Sequence, residues 1–142
     1  MNRDTLRQQL IRHEGLRLKA YQDTAGKWTV GVGRNLTDRG ITVEEAMALL
    51  DHDIQRVERE VRAALSWFFE LDDVRQIVLC EMAFNLGTAG LLQFHDALSA
   101  VKDGDYTAAA GHMLDSAWAR QVGHRAVELA DAMRDGTPVE TI

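Results

Sequence analysis

The sequence predicts an α+β fold: a small β-hairpin lobe near the N-terminus and a larger helical lobe, joined by a long helix. Three observations carry this. LRLKAYQD and KWTVGVG, on either side of TAG between residues 16 and 33, alternate apolar and polar side chains, the period of a strand. From Thr42 the period becomes helical, with Val43, Met47, Leu50, Ile54, Val57 and Val61 on one stripe. ELDDVRQIVLCEMAFNLG then carries apolar residues on several faces, as a central buried helix does.

Taken in order, Asp4 is suited to cap a first helix whose Leu6, Leu10 and Ile11 share a face and which Gly15 stops. Glu14 therefore belongs to that helix's C-terminal end. The alternating segments form a small antiparallel hairpin, with a third short strand expected at RNLTD. Thr42 and Glu45 have the spacing of a capping box at the head of the long helix. Gly87 and Gly90 end the central helix, and shorter helices follow over 95–102, 106–114 and 123–134, with DGTPVETI as a frayed tail. The expected division is one domain over 1–142. Residues 15–41 form the sheet lobe, 42–64 the connecting helix, and 1–14 with 65–142 the helical lobe. A cleft between two such lobes is a frequent place for a ligand.

The chain has 142 residues, enough for one domain with a real core. Its formal net charge of −6 argues against a nucleic-acid partner or an anionic membrane surface. No apolar leader or membrane-length run is visible, so a protein held in the cytoplasm, without membrane insertion, is expected. Cys80, the single cysteine, lies in the apolar run IVLCEMAF and reads as a core thiol. His13, His52, His95, His112 and His124 have no ligand spacing, so no metal site is expected.

The residues that invite chemistry lie in HEGLRLKAYQDTAGKWTVGVGRNLT. Glu14 is followed nine residues later by Asp23, and six further on by Thr29. Hydrolysis of a glycosidic bond uses two carboxyl groups in different states, one donating a proton to the leaving oxygen and one acting on the sugar or on water. A helix end followed by a hairpin can hold Glu14 and Asp23 on two sides of a groove, and a hydroxyl at Thr29 can orient water. With 22 acidic residues in the chain, the same pair taken on chemistry alone reads more readily as solvated surface carboxylates.

The order and spacing of those residues closely resemble the phage-type lysozymes of glycoside hydrolase family 24. GRNLT, ITVEEAMALLDHDI, LDDVRQIVLCEMAFNLG and SAWARQVGHRA are similar to successive segments of that family, so the resemblance covers most of the chain. It implies a two-lobed lysozyme-like fold and a peptidoglycan hydrolase acting on the β-1,4 bond between N-acetylmuramic acid and N-acetylglucosamine, with inversion. By the resemblance, Glu14 is the general acid, and Asp23 and Thr29 position and activate water. Arg125 matches an arginine paired with the catalytic Glu, and Arg34 and Asp53 match a structural ion pair. No cofactor is implied. A monomeric endolysin, released by a holin to reach the periplasmic wall, is the biological setting the resemblance suggests. Two features depart from it: TDRGITVEEA leads directly into the long helix without the insertion of longer members, and the chain is acidic where many wall-degrading lysozymes are basic.

Other residues divide between roles. Trp28 is placed either to stack on a sugar or to pack, and Asn85 and Gln121 either to line a cleft or to bond helix to helix. Trp118, Met82 and Phe84 read as core, and Trp67, Phe68 and Phe69 as a short helix on it. A lytic transglycosylase uses a Glu acid without water, and a non-catalytic glycan-binding domain would have lost the water-positioning pair. The presence of both Asp23 and Thr29 favours hydrolysis over either.

Overall fold

A computed structural model describes residues 1–141. The chain divides into two compact units, Met1–Leu49 and Leu50–Ile142, and the boundary falls inside one helix.

The first unit opens with α1, Arg3–Glu14. Its N-cap is Asn2, whose side chain accepts from the Thr5 amide at 3.0 Å, and not Asp4. Asp4 stands in the first turn instead, where it suits the helix dipole and pairs with Arg7. Gly15 ends the helix at φ 81°, its N–H bonded to the Ile11 carbonyl at 2.9 Å. The chain then forms an antiparallel sheet in the order β1 (Arg17–Gln22), β2 (Trp28–Gly31), β3 (Arg34–Asn35). The expected third strand is cut to two residues because the Asn35 side chain caps a short helix, α2, at Leu36–Arg39. α1 falls in the same unit as the sheet.

α3, Val43–Ala64, begins with the expected capping box: the Glu45 amide donates to Thr42 Oγ1 at 3.1 Å, and the Thr42 amide to Glu45 Oε1 at 2.9 Å. The second unit continues with a 3-10 turn at Phe68–Glu70 and α4 (Asp73–Leu86). The remaining helices are α5 (Thr88–Leu91), α6 (His95–Lys102), α7 (Tyr106–Leu114), α8 (Ala117–Val122) and α9 (His124–Asp135). Gly87 alone ends α4, since Gly90 lies inside α5. α8 has no counterpart in the sequence reading. It is only six residues long, too short to display a period, and its mark is the Ser116 cap on the Ala119 amide.

The core of this unit is built from Val57, Val61, Phe68, Leu79, Met82, Leu91, Met113, Trp118, Leu129, Met133 and their neighbours. The sequence reading identified Met82, Trp118 and Phe68 correctly, but Phe84 is 46% exposed and Phe69 68% exposed. Arg75 fastens the end of α9 to α4. Its guanidinium donates to the carbonyls of Met133 (2.7 Å) and Arg134 (3.0 Å) and stacks 3.6 Å from the Tyr106 ring centre. Cys80 is part-buried, and burial, with Glu58 nearby, pushes its thiol up to about 11. Beyond Asp135 the tail is not helical, yet Val139 packs on the core; Ile142 lies outside the described residues.

Candidate active site

All three residues of the spaced Glu–Asp–Thr pattern belong to the first unit. Thr29 occupies the central strand, opposite Tyr21 on β1 and Asn35 on β3. At 4% exposure it is the one buried polar residue among those described. Its Oγ1 donates to the Lys27 carbonyl at 3.0 Å. With its proton committed there, the hydroxyl keeps lone pairs to accept a bond from another group.

Asp23 closes the turn between β1 and β2. Its Oδ1 accepts from the amides of Ala25 and Lys27, both at 2.9 Å, while its own N–H donates to the Lys27 carbonyl at 2.9 Å. This is the Asx-turn chemistry for which Asp is favoured beside a glycine, here Gly26 at φ 77°. Oδ2 takes no protein hydrogen bond among the described residues. One carboxylate oxygen thus holds the turn, and the other is free to accept a proton or bind water.

The peptide groups of Lys27 join the pair. The Lys27 N–H binds Asp23, and its carbonyl receives both the Asp23 amide and the Thr29 hydroxyl. The sequence reading named Asp23 and Thr29 but not this link, because a backbone group leaves no side-chain signature. The only trace was the turn-forming run DTAG. The Lys27 side chain bonds Asp38 at 3.2 Å, which, with Asn35, holds the Asp38 carboxyl below its ordinary range.

Glu14, the last residue of α1, is exposed. Its carboxyl lies against Gly33: a Cβ built on Gly33 would stand 3.0 Å from Glu14 Oε2. Helix end and β2–β3 turn therefore meet at the acid. Trp28 is 51% exposed, its backbone N–H held by Thr37 Oγ1 at 2.8 Å.

Two of the arginines expected in ion pairs bond carboxylates within their own units. Arg34 bonds Glu45 at 2.8 Å and the Gly40 carbonyl at 3.3 Å. The capping box fixes Glu45 in the first turn of α3, within reach of β3; in the second unit Asp53 pairs with Arg56 at 3.7 Å. Arg34 still ties the sheet to the long helix, but through Glu45. The Arg34 hydrogen bond, aided by the Thr42 amide, lowers the Glu45 carboxyl to about 2. In the second unit, Arg125 Nε bonds Glu81, a carboxylate on α4, at 3.0 Å. Asn85 accepts from Trp118 Nε1 at 2.8 Å, the helix-to-helix role, and Gln121 is exposed on α8. Beside them, Phe94, His95, Asp96, His112, Asp115 and Trp118 line a cavity of about 500 Å³.

Among the described residues no group of three or more His, Cys, Asp or Glu is arranged to hold a metal ion, and no helix is long and apolar enough to cross a membrane. The chemistry offered by the first unit is that of two carboxyl groups and an oriented hydroxyl.

Comparison with known proteins places this arrangement in context. A family model described as phage lysozyme matches residues 11–132. An endolysin of Acyrthosiphon pisum secondary endosymbiont phage 1 is 34% identical, over 80% of this chain and 78% of its own length. A probable T4-type lysozyme of Dictyostelium discoideum is 25% identical, over 87% and 90% respectively. The pre-baseplate central spike protein Gp5 of Enterobacteria phage T4 is 31% identical over 86% of this chain, which spans only 26% of that protein.

Proposed function

From membership of the phage lysozyme family, to which this chain belongs, we propose that it hydrolyses peptidoglycan at the β-1,4 bond between N-acetylmuramic acid and N-acetylglucosamine. The observation that carries this reading is the division of labour at Asp23. Oδ1 is spent on the turn, Oδ2 is open, and Thr29 is fixed to the same Lys27 peptide.

In this reading Glu14 gives its proton to the leaving glycosidic oxygen as the C1–O bond breaks. A water donating to Asp23 Oδ2 and Thr29 Oγ1 attacks C1 and loses its proton to Asp23. One sugar leaves with the acid's proton and the other gains hydroxyl, with inversion at C1 because water enters from the face opposite the leaving group. The exposed Trp28 offers a stacking surface for a sugar ring. The protein acts as a monomer without a cofactor. The setting is host lysis: the enzyme waits in the host cytoplasm and reaches the periplasmic wall after holin-dependent release, in keeping with the relatives named endolysin.

The test is digestion of purified peptidoglycan by wild type and Glu14→Gln in water enriched in oxygen-18, with the soluble fragments weighed and the anomer of fresh product followed by NMR. Labelled, hydrated fragments of inverted configuration from the wild type, and a loss of about 10²–10⁴-fold in Glu14→Gln, are expected. Anhydro fragments without label would replace hydrolysis by transglycosylation, and the absence of fragments from folded wild type would leave a glycan-binding domain. The similarity to a spike protein supports a second setting for the same chemistry, as part of a virion. Finding the chain in purified particles rather than only in lysates would favour it.

A further inference from the structure

We propose that Gly33 is the positioning residue for Glu14, its bare Cα forming the wall against which the acid's carboxyl is set; the consequence for turnover rests on Glu14 being the general acid. Within Met1–Leu49 no side-chain hydrogen bond reaches the Glu14 carboxyl, and Glu14 projects from the last position of a helix with no buried residue. A glutamate so exposed has several rotamers open to it, and something must select one.

The contact at Gly33 does so. An added Cβ would lie 3.0, 3.1 and 3.2 Å from Oε2, Cδ and Cγ of Glu14, so three successive atoms of the side chain follow the surface of this one residue. The turn supplies its own control. Gly31 has φ 69° and Gly33 φ 67°, the left-handed region that an L side chain rarely adopts. Both positions require glycine for backbone reasons, yet a Cβ on Gly31 would meet nothing within 4 Å. Only at Gly33 is there a second reason, and that reason is Glu14.

A methyl group at 33 moves a flexible carboxyl by a few tenths of an ångström or into another rotamer. A general acid must lie within hydrogen-bond reach of the oxygen it protonates, and a displacement of 1 Å at a reacting group costs up to about 10²-fold in rate.

Gly33→Ala and Gly31→Ala are compared for kcat and KM on soluble peptidoglycan fragments. Their melting temperatures are compared in wild-type and Glu14→Ala backgrounds. We expect Gly33→Ala to lower kcat by about 10–10²-fold with KM changed less than about twofold, and Gly31→Ala to leave kcat within about threefold. Gly33→Ala should also melt lower than Gly31→Ala, an excess that disappears in Glu14→Ala, where the carboxyl is gone. Equal kcat for the two variants, or an excess that persists in Glu14→Ala, overturns the proposal. Should the alanine variants not fold, asparagine at the same positions tolerates the positive φ and brings the same Cβ. The melting comparison is independent of catalysis: full activity of Glu14→Gln would remove the acid reading while the melting data still decide whether Gly33 confines the side chain.

Discussion

The two units are held together by different physics. In Leu50–Ile142 the buried apolar residues run from Val57 to Met133 and come from α3, the 3-10 turn and α4 to α9. In Met1–Leu49 no apolar residue is buried, and the one buried side chain is the hydroxyl of Thr29. That unit is instead ordered by an Asx turn, helix caps, exposed ion pairs and glycines at positive φ. Burial of apolar area stabilises without direction, whereas hydrogen bonds and turn geometry stabilise modestly but fix atoms in place. The candidate catalytic side chains all stand on the second kind of scaffold. The comparison teaches that here positioning and stability are supplied by separate parts of the chain, as expected where sites are drawn from the less stable end of a structure.

The sharpest way to break this contrast is Asp23→Asn. The amide Oδ1 still accepts from Ala25 and Lys27, so the turn and the melting temperature should hold, while loss of the charge at the second position should lower kcat by about 10²–10³-fold. Melting together with the activity would mean that Asp23 is a turn residue only. Next in size is Leu79→Ala in the core, 1% exposed, which should cost about 2–5 kcal/mol in denaturant unfolding. A cost below about 1 kcal/mol would show that the core does not carry this unit.

The smallest expected effect is Glu45→Gln. Glutamine keeps the capping box but not the charge paired with Arg34. The folded carboxyl titrates at about 2, below its ordinary 4.5, so it stabilises above about pH 4.5 and the contribution is lost as pH falls toward 2. The variant should therefore melt slightly below wild type at neutral pH, with the gap closing on acidification and shrinking in salt, since both partners are exposed. A gap independent of pH would mean that the Arg34 charge is not what Glu45 serves.

Much of this was legible without coordinates. Alternation marked β1 and β2, the Thr42–Glu45 spacing marked the head of α3, and the all-round apolar run marked α4, because periodicity and caps are local properties of the chain. Glu14, Asp23 and Thr29 were named as candidates from their spacing and the resemblance it carries. What the sequence could not decide was which partner a long side chain takes. Arg34 takes Glu45 and Arg125 takes Glu81, because ion pairs follow reach in three dimensions rather than residue type. Phe84 was read as core from its period, but only packing decides which side of an all-apolar helix is covered. The closest contacts of the site, Lys27 peptide to Asp23 and Thr29 and Gly33 to Glu14, involve backbone or a missing atom. Sequence by itself determined the chemical groups and the elements that carry them; tertiary structure decided how those groups are held, since backbone bonds and bare Cα atoms acquire partners only when the chain has folded.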